Sequence, residues 1–155
     1  MRIEDILTVD CMKVPLTGHT KEEIIGELID LMVKAGLAEN AKELMDSALE
    51  REGLMSTGIG KGVAIPHGRA KGVKKMSASF GITREPIEFG SLDGQPVRIF
   101  FFIATPQNIV ADHVRALALV SRILNREGIR ENLLKVATPE QVMPLFQQAE
   151  SSEPK

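Results

Sequence analysis

The chain has 155 residues, a net charge of −2 and only six aromatic side chains, all Phe. That balance excludes a general electrostatic pull toward nucleic acid or an anionic membrane surface, and it offers no platform on which bases could stack. With 43% hydrophobic and 26% charged residues it reads as one soluble domain, its core built from Ile, Leu, Val, Met and Ala.

The start, MRIEDILTVD, carries acidic residues and no long apolar run, so it is not read as a signal peptide. Cys11 stands alone, which rules out a disulfide within the chain and a multi-cysteine zinc site. A cytoplasmic setting fits. Thr20 with Glu23 forms a capping-box pattern that predicts a helix over 21–35, with Ile24, Leu28, Leu31 and Met32 on one face and Gly36 as its stop. Asn40 with Glu43 repeats the signal, so a second helix runs to about Arg51 or Glu52 and ends at Gly53. The glycines of 56-STGIGKG-62 mark a loop. Val63 to Ile65 then reads as a short strand ended by Pro66.

In 76-MSASFGI-82 apolar residues alternate with small or polar ones, the pattern of a half-buried strand. Asp-Gly in 92-LDGQ-95 signals a turn. The run 97-VRIFFFIAT-105 has the apolar continuity of a strand covered on both faces, and its apolar core is far too short to span a bilayer. A helix is expected to begin near Asp112 and bury Leu117, Val120 and Leu124. Another is expected over 130–137. A last one has Thr138 as N-cap and Pro139 at its first position, with Pro144 kinking it or shifting its start. Only the tail, 150-ESSEPK-155, looks disordered, which places the domain at 1–149. Helices, then strands, then helices imply an α/β layered domain with the sheet covered on both faces.

The chemistry concentrates in 57-TGIGKGVAIPHGRAKG-72, which holds five glycines and one histidine. His67 follows Pro66, which fixes the local backbone, and precedes Gly68, which lets another chain approach. A neutral imidazole near pH 7 is a competent nucleophile, and the plainer alternative is a surface-loop histidine. His113 lies at a predicted helix start, where the helix dipole favours an anion and disfavours ring protonation; the plainer alternative leaves its ring in solvent. Arg51 closes the second helix, either as a fork for phosphate oxygens or as a cation favoured by the helix C-terminus. Ser56 and Thr57 add hydroxyls, and loop chemistry alone would explain them. His19 and Cys11 have no companions. The spacing of 58-GIGKG-62 fails as a Walker loop, since Met55 and Gly62 stand where Gly and Ser or Thr are needed. The three histidines show no metal-ligand spacing.

The segment 50-EREGLMSTGIGKGVAIPHGR-69, with 86-PIEFGSLDGQPV-97 and 113-HVRALALVSRIL-124, resembles the fructose/mannitol-type EIIA domain of the bacterial phosphoenolpyruvate:sugar phosphotransferase system. Its form is most like that of the nitrogen-regulatory member, EIIA-Ntr. The resemblance runs from about Ile3 to Gln148 and implies a single α/β/α sandwich, a mixed central sheet with helices on both faces. It places the phosphorylated histidine at His67, the second active-site histidine at His113, and the family arginine at Arg51. Ser56 and Thr57 would line the phosphoryl pocket. It further implies transfer to the ε2 nitrogen from a phosphorylated HPr or NPr-type carrier, with no metal or organic cofactor. Val114 departs from the usual Leu, a change expected to affect only core packing. Three roles are open: a regulatory carrier acting on transporters or kinases, a sugar-line EIIA serving an EIIB domain, and an interaction module that is not phosphorylated.

Overall fold

The computed structural model describes residues 1–152. Two 3-10 turns, Ile3–Asp5 and Val9–Cys11, lead into strand β1 (Met12–Leu16), followed by helices α1 (Lys21–Lys34) and α2 (Ala41–Leu54). Three short strands come next: β2 (Gly58–Gly60), β3 (Val63–Ala64) and β4 (His67–Arg69). Two long ones follow, β5 (Ser77–Ile87) and β6 (Val97–Thr105). The chain closes with α3 (Ala111–Leu124), α4 (Glu127–Leu133), a 3-10 turn at Pro139–Gln141, and α5 (Val142–Ser151).

The sheet is six-stranded and mixed. β5 lies between β1, parallel to it, and β6, antiparallel to it. The other edge of β6 pairs in parallel with β3 and then, past the break at Ile65 and Pro66, with β4. β2 folds back antiparallel on β3. Side chains along β6 alternate between the two faces, as a strand requires. Ile99, Phe101 and Ile103 enter a core shared with α3, α4 and α5. Phe100, Phe102 and Ala104 enter the core under α1 and α2. Each buried Phe or Ile contributes roughly 1.5–3 kcal/mol of burial. The layered α/β/α fold with helices on both faces is therefore the observed one.

Local signals account for several elements. Thr20 accepts from the Glu23 N–H at 3.2 Å and Asn40 from the Glu43 N–H at 3.1 Å, so both predicted caps form. Gly53 does not stop α2, which continues to Leu54. The stretch read as a loop includes β2, because Lys61 and Gly62, at φ 60 and 80, make the tight turn that returns it to β3. β5 is longer than expected and buried on both faces from Ser77 to Thr83, because α1 covers the face that the small and polar residues were expected to show to solvent. β1 was not foreseen; it contains Pro15, which an edge strand tolerates.

The end of the chain shifts as well. α4 starts earlier than the periodicity places it. Arg126, just before it, donates to the Ala149 carbonyl at 2.9 Å, and Leu133 is buried. Pro144 makes no kink: the helix starts at Val142, so the proline falls in the first turn, where its missing N–H costs no helical bond. α5 also takes in Glu150 and Ser151, which the sequence placed in a disordered tail. The Glu150 carboxylate accepts from the Ile3 N–H at 3.1 Å and ties that end down. Positions 153–155 of the expected tail lie outside the described residues.

Candidate functional site

His67 is the first residue of β4, not a loop residue. Its backbone pairs in register with Ile103. The Ile65 N–H donates to the Thr57 carbonyl on the side away from β6, so the Ile65 carbonyl takes no part in the β6 ladder, and His67 Nδ1 lies 3.0 Å from that oxygen. A carbonyl can only accept, so Nδ1 carries the hydrogen and Nε2 is left with its lone pair. Burial pushes the imidazole below its ordinary pKa, and the charges of Arg51 and Arg69 add to this; the Ile65 carbonyl and Glu52 oppose it. The ring is neutral at pH 7.

His113 sits in the first turn of α3 and is 5% exposed, so its ring is not in solvent. Its centroid lies 5.0 Å from that of His67, with the planes at 65°. Nδ1 lies 2.6 Å from Oγ1 of Thr105, the last residue of β6. Burial, then the charges of His67, Arg69 and Arg51, push its pKa down to about 4. The next residue, Val114, is 58% exposed, so its departure from Leu falls on the surface and not in the core.

A cavity of about 510 Å³ joins these groups, with Arg51, His67, Arg69, His113, Leu54 and Leu117 among its walls. Arg51, in the last turn of α2, donates from Nη1 to the Met55 carbonyl at 2.7 Å, the helix-end contact its position favours. Arg69 was missed by sequence reading, although a period of two on a strand puts it on the same face as His67. Its N–H donates to the Ser47 hydroxyl at 2.9 Å, and among the described residues its guanidinium makes no ion pair. Gly68, between them, has the α2 backbone against it: a Cβ there would lie 3.1 Å from the Ala48 nitrogen and 3.2 Å from the Leu44 carbonyl oxygen.

Ser56 and Thr57 do not reach the cavity wall. Ser56 donates to the Phe89 carbonyl at 3.0 Å and accepts from the Gly58 N–H at 3.0 Å. Thr57 is buried, and its hydroxyl and N–H both donate to the Glu52 carboxylate, which also receives Lys21 Nζ at 2.9 Å. The Thr57 carbonyl accepts from the Ile65 N–H at 3.0 Å. Ser56 thus ties the start of β2 to the Phe89 segment, Thr57 ties Glu52 to the Ile65 segment ahead of β4, and neither is among the residues that line the cavity. Among the described residues no three metal-ligating side chains come together, and no helix is long and apolar enough to cross a membrane.

The family model described as "Phosphoenolpyruvate-dependent sugar phosphotransferase system, EIIA 2" matches residues 5–149. The chain belongs to the EIIA type-2 family. It is 34% identical to a fructose-specific EIIA component of Haloferax volcanii, over 94% of this chain and 97% of that protein. It is 33% identical to a nitrogen regulatory protein of Bradyrhizobium diazoefficiens, over 86% of each. A fructose-specific EIIABC component of Bacillus subtilis is 33% identical over 96% of this chain, which spans only 23% of that longer protein. The crystal structure of IIA-Ntr from Neisseria meningitidis superposes with a TM-score of 0.85 at 32% identity, covering 93% of this chain and 98% of that one. Enzyme IIA-mannitol of Escherichia coli, solved in complex with phosphorylated enzyme IIB-mannitol, superposes at 0.78 with 26% identity, over 92% of this chain and 99% of that one. As an EIIA domain, this chain is a phosphoryl carrier of the phosphotransferase system.

Proposed function

We propose that the phosphoryl group is carried on His67 Nε2, that it comes from the phosphohistidine of an HPr or NPr-type carrier in the cytoplasm, and that the carrier state serves nitrogen-regulatory signalling. The observation that carries the site assignment is the 3.0 Å contact between His67 Nδ1 and the Ile65 carbonyl beside the cavity. It fixes the tautomer and leaves Nε2 as the nucleophile. The Nε2 lone pair forms the new N–P bond as the donor's N–P bond breaks. A donor protonated on its other ring nitrogen leaves as neutral imidazole, so no proton need move. His67 keeps its Nδ1 hydrogen throughout.

Phosphoryl transfer asks little covalent work of a protein; positioning and neutralisation of charge dominate. Arg51 and Arg69 supply positive charge, and neutral His113 supplies a hydrogen-bond donor at a helix N-terminus. The cleft needs no cofactor for this step.

The regulatory role is supported by the likeness to IIA-Ntr. A transport role is the second reading, supported by the fructose-specific relative at 34% identity and by the mannitol IIA, whose complex holds a phosphorylated IIB. Intact mass after incubation with phosphoenolpyruvate, Enzyme I and HPr or NPr tests the first step. One acid-labile phosphoryl group is expected in the wild type and none in a folded His67→Ala. No gain with either carrier would leave an interaction module. Passage of the label to a fructose-type EIIB would select transport over regulation.

A further inference from the structure

We propose that Thr105 is a positioning residue that sets the tautomer of His113, and so the hydrogen which His113 presents beside His67; this rests on the reading of His67 given above.

Thr105 is fully buried, and Oγ1 lies 2.6 Å from His113 Nδ1. Among the described residues this hydroxyl has no other hydrogen-bond partner. Two arrangements fit the distance. If Nδ1–H donated, the hydroxyl hydrogen would be left without an acceptor in a place closed to water. An orphaned buried donor costs roughly 1–3 kcal/mol. If the hydroxyl donates, both atoms are satisfied. The second arrangement leaves Nδ1 without a hydrogen and puts one on Nε2.

The direction matters because of where the ring stands. His113 lines the same cavity as His67, and its Nε2 has no partner among the described residues. With a hydrogen it donates to a phosphoryl oxygen; with a bare lone pair it repels one. The two imidazoles therefore have opposite tautomers, each set by an oxygen of the backbone or side chain behind it. The Ile65 carbonyl, an acceptor, makes His67 a nucleophile, and the Thr105 hydroxyl, a donor, makes His113 a donor in turn. The Thr105 main chain is fixed independently: it stands opposite Arg69 in the sheet, and its carbonyl accepts from the Ala70 N–H at 3.2 Å.

The test is a long-range 1H–15N correlation spectrum of the histidine rings in the unphosphorylated full chain near neutral pH. It is paired with the rate of phosphoryl uptake from the phosphorylated carrier. The wild type is expected to show His113 protonated on Nε2 only. Thr105→Val, which keeps the shape and removes the hydroxyl, is expected to mix the tautomers and slow uptake roughly tenfold, the loss of about one hydrogen bond. Thr105→Ser is expected to restore both. A wild-type His113 protonated on Nδ1 overturns the proposal. So does a Thr105→Val that slows uptake without moving the tautomer, or that changes neither. If Thr105→Val does not fold, the wild-type and Thr105→Ser spectra decide. A wild type that takes up no phosphoryl group overturns the reading of His67 and this proposal with it. Normal uptake with the wrong tautomer overturns this proposal alone.

Discussion

His67 and His113 lie 5.0 Å apart, yet the two regions that hold them are built on opposite plans. His67 stands on a three-residue strand at a break in the sheet, half-buried, with its inner nitrogen on a main-chain carbonyl. His113 stands in the first turn of a fourteen-residue helix, buried, with its inner nitrogen on a side-chain hydroxyl. A strand edge leaves an imidazole reachable by a partner protein. A helix start packed on the sheet keeps one mostly buried, with an edge on the cavity. The cleft thus separates reach from electrostatics and assigns each to a different element.

Removing the more buried partner should expose this division most clearly. His113→Ala is expected to slow phosphoryl uptake by about 100-fold while still allowing one group per chain at long times, since a lost donor at such a site typically costs that much. Stopped-flow uptake followed by end-point mass separates rate from extent. A rate equal to wild type would make His113 a packing residue only.

Acid sharpens the comparison next. The folded pKa of His113 is about 4, below the ordinary value of 6.5, so the unfolded chain takes up this proton first. The stability it contributes is complete above 6.5 and is lost as pH falls toward 4. His67 is shifted the same way. Between pH 7.5 and 4.5 the wild type is expected to lose about 2–3 kcal/mol more than His113→Gln, measured by urea unfolding at each pH. Equal losses would mean that the ring is not held neutral.

The smallest effect should come from the reachable side. Arg69→Gln is expected to slow uptake roughly tenfold, with less dependence on salt than the wild type, because one charge-assisted contact is removed. An unchanged rate and salt slope would leave Arg51 as the cation that matters.

Much of this was legible in the chain. The caps at Thr20 and Asn40 are written in neighbouring residues, and β6 announces itself by an unbroken apolar run. His67, His113 and Arg51 stand out by their local settings, after a strand, at a helix start and at a helix end, and one cavity is lined by all three. What was missed depends on distant contacts. β4 carries Gly68 and follows Pro66, so nothing local marks it as a strand; its pairing with β6 makes it one. The hydrogen bonds of Ser56 and Thr57 go to Phe89 and Glu52, which no spacing rule connects to them. Arg69 was visible only once His67 was known to be on a strand. Thr105 was invisible because the contact that matters joins a strand end to a helix start.

At Gly68 the helix α2 rests on β4 main chain to main chain, with space for a hydrogen and little more. Any larger residue there would act as a shim, tilting α2 outward and carrying Arg51 away from the His67 ring. The gap across the cleft is therefore gauged by two backbones in contact, a far stiffer spacer than any pair of flexible side chains.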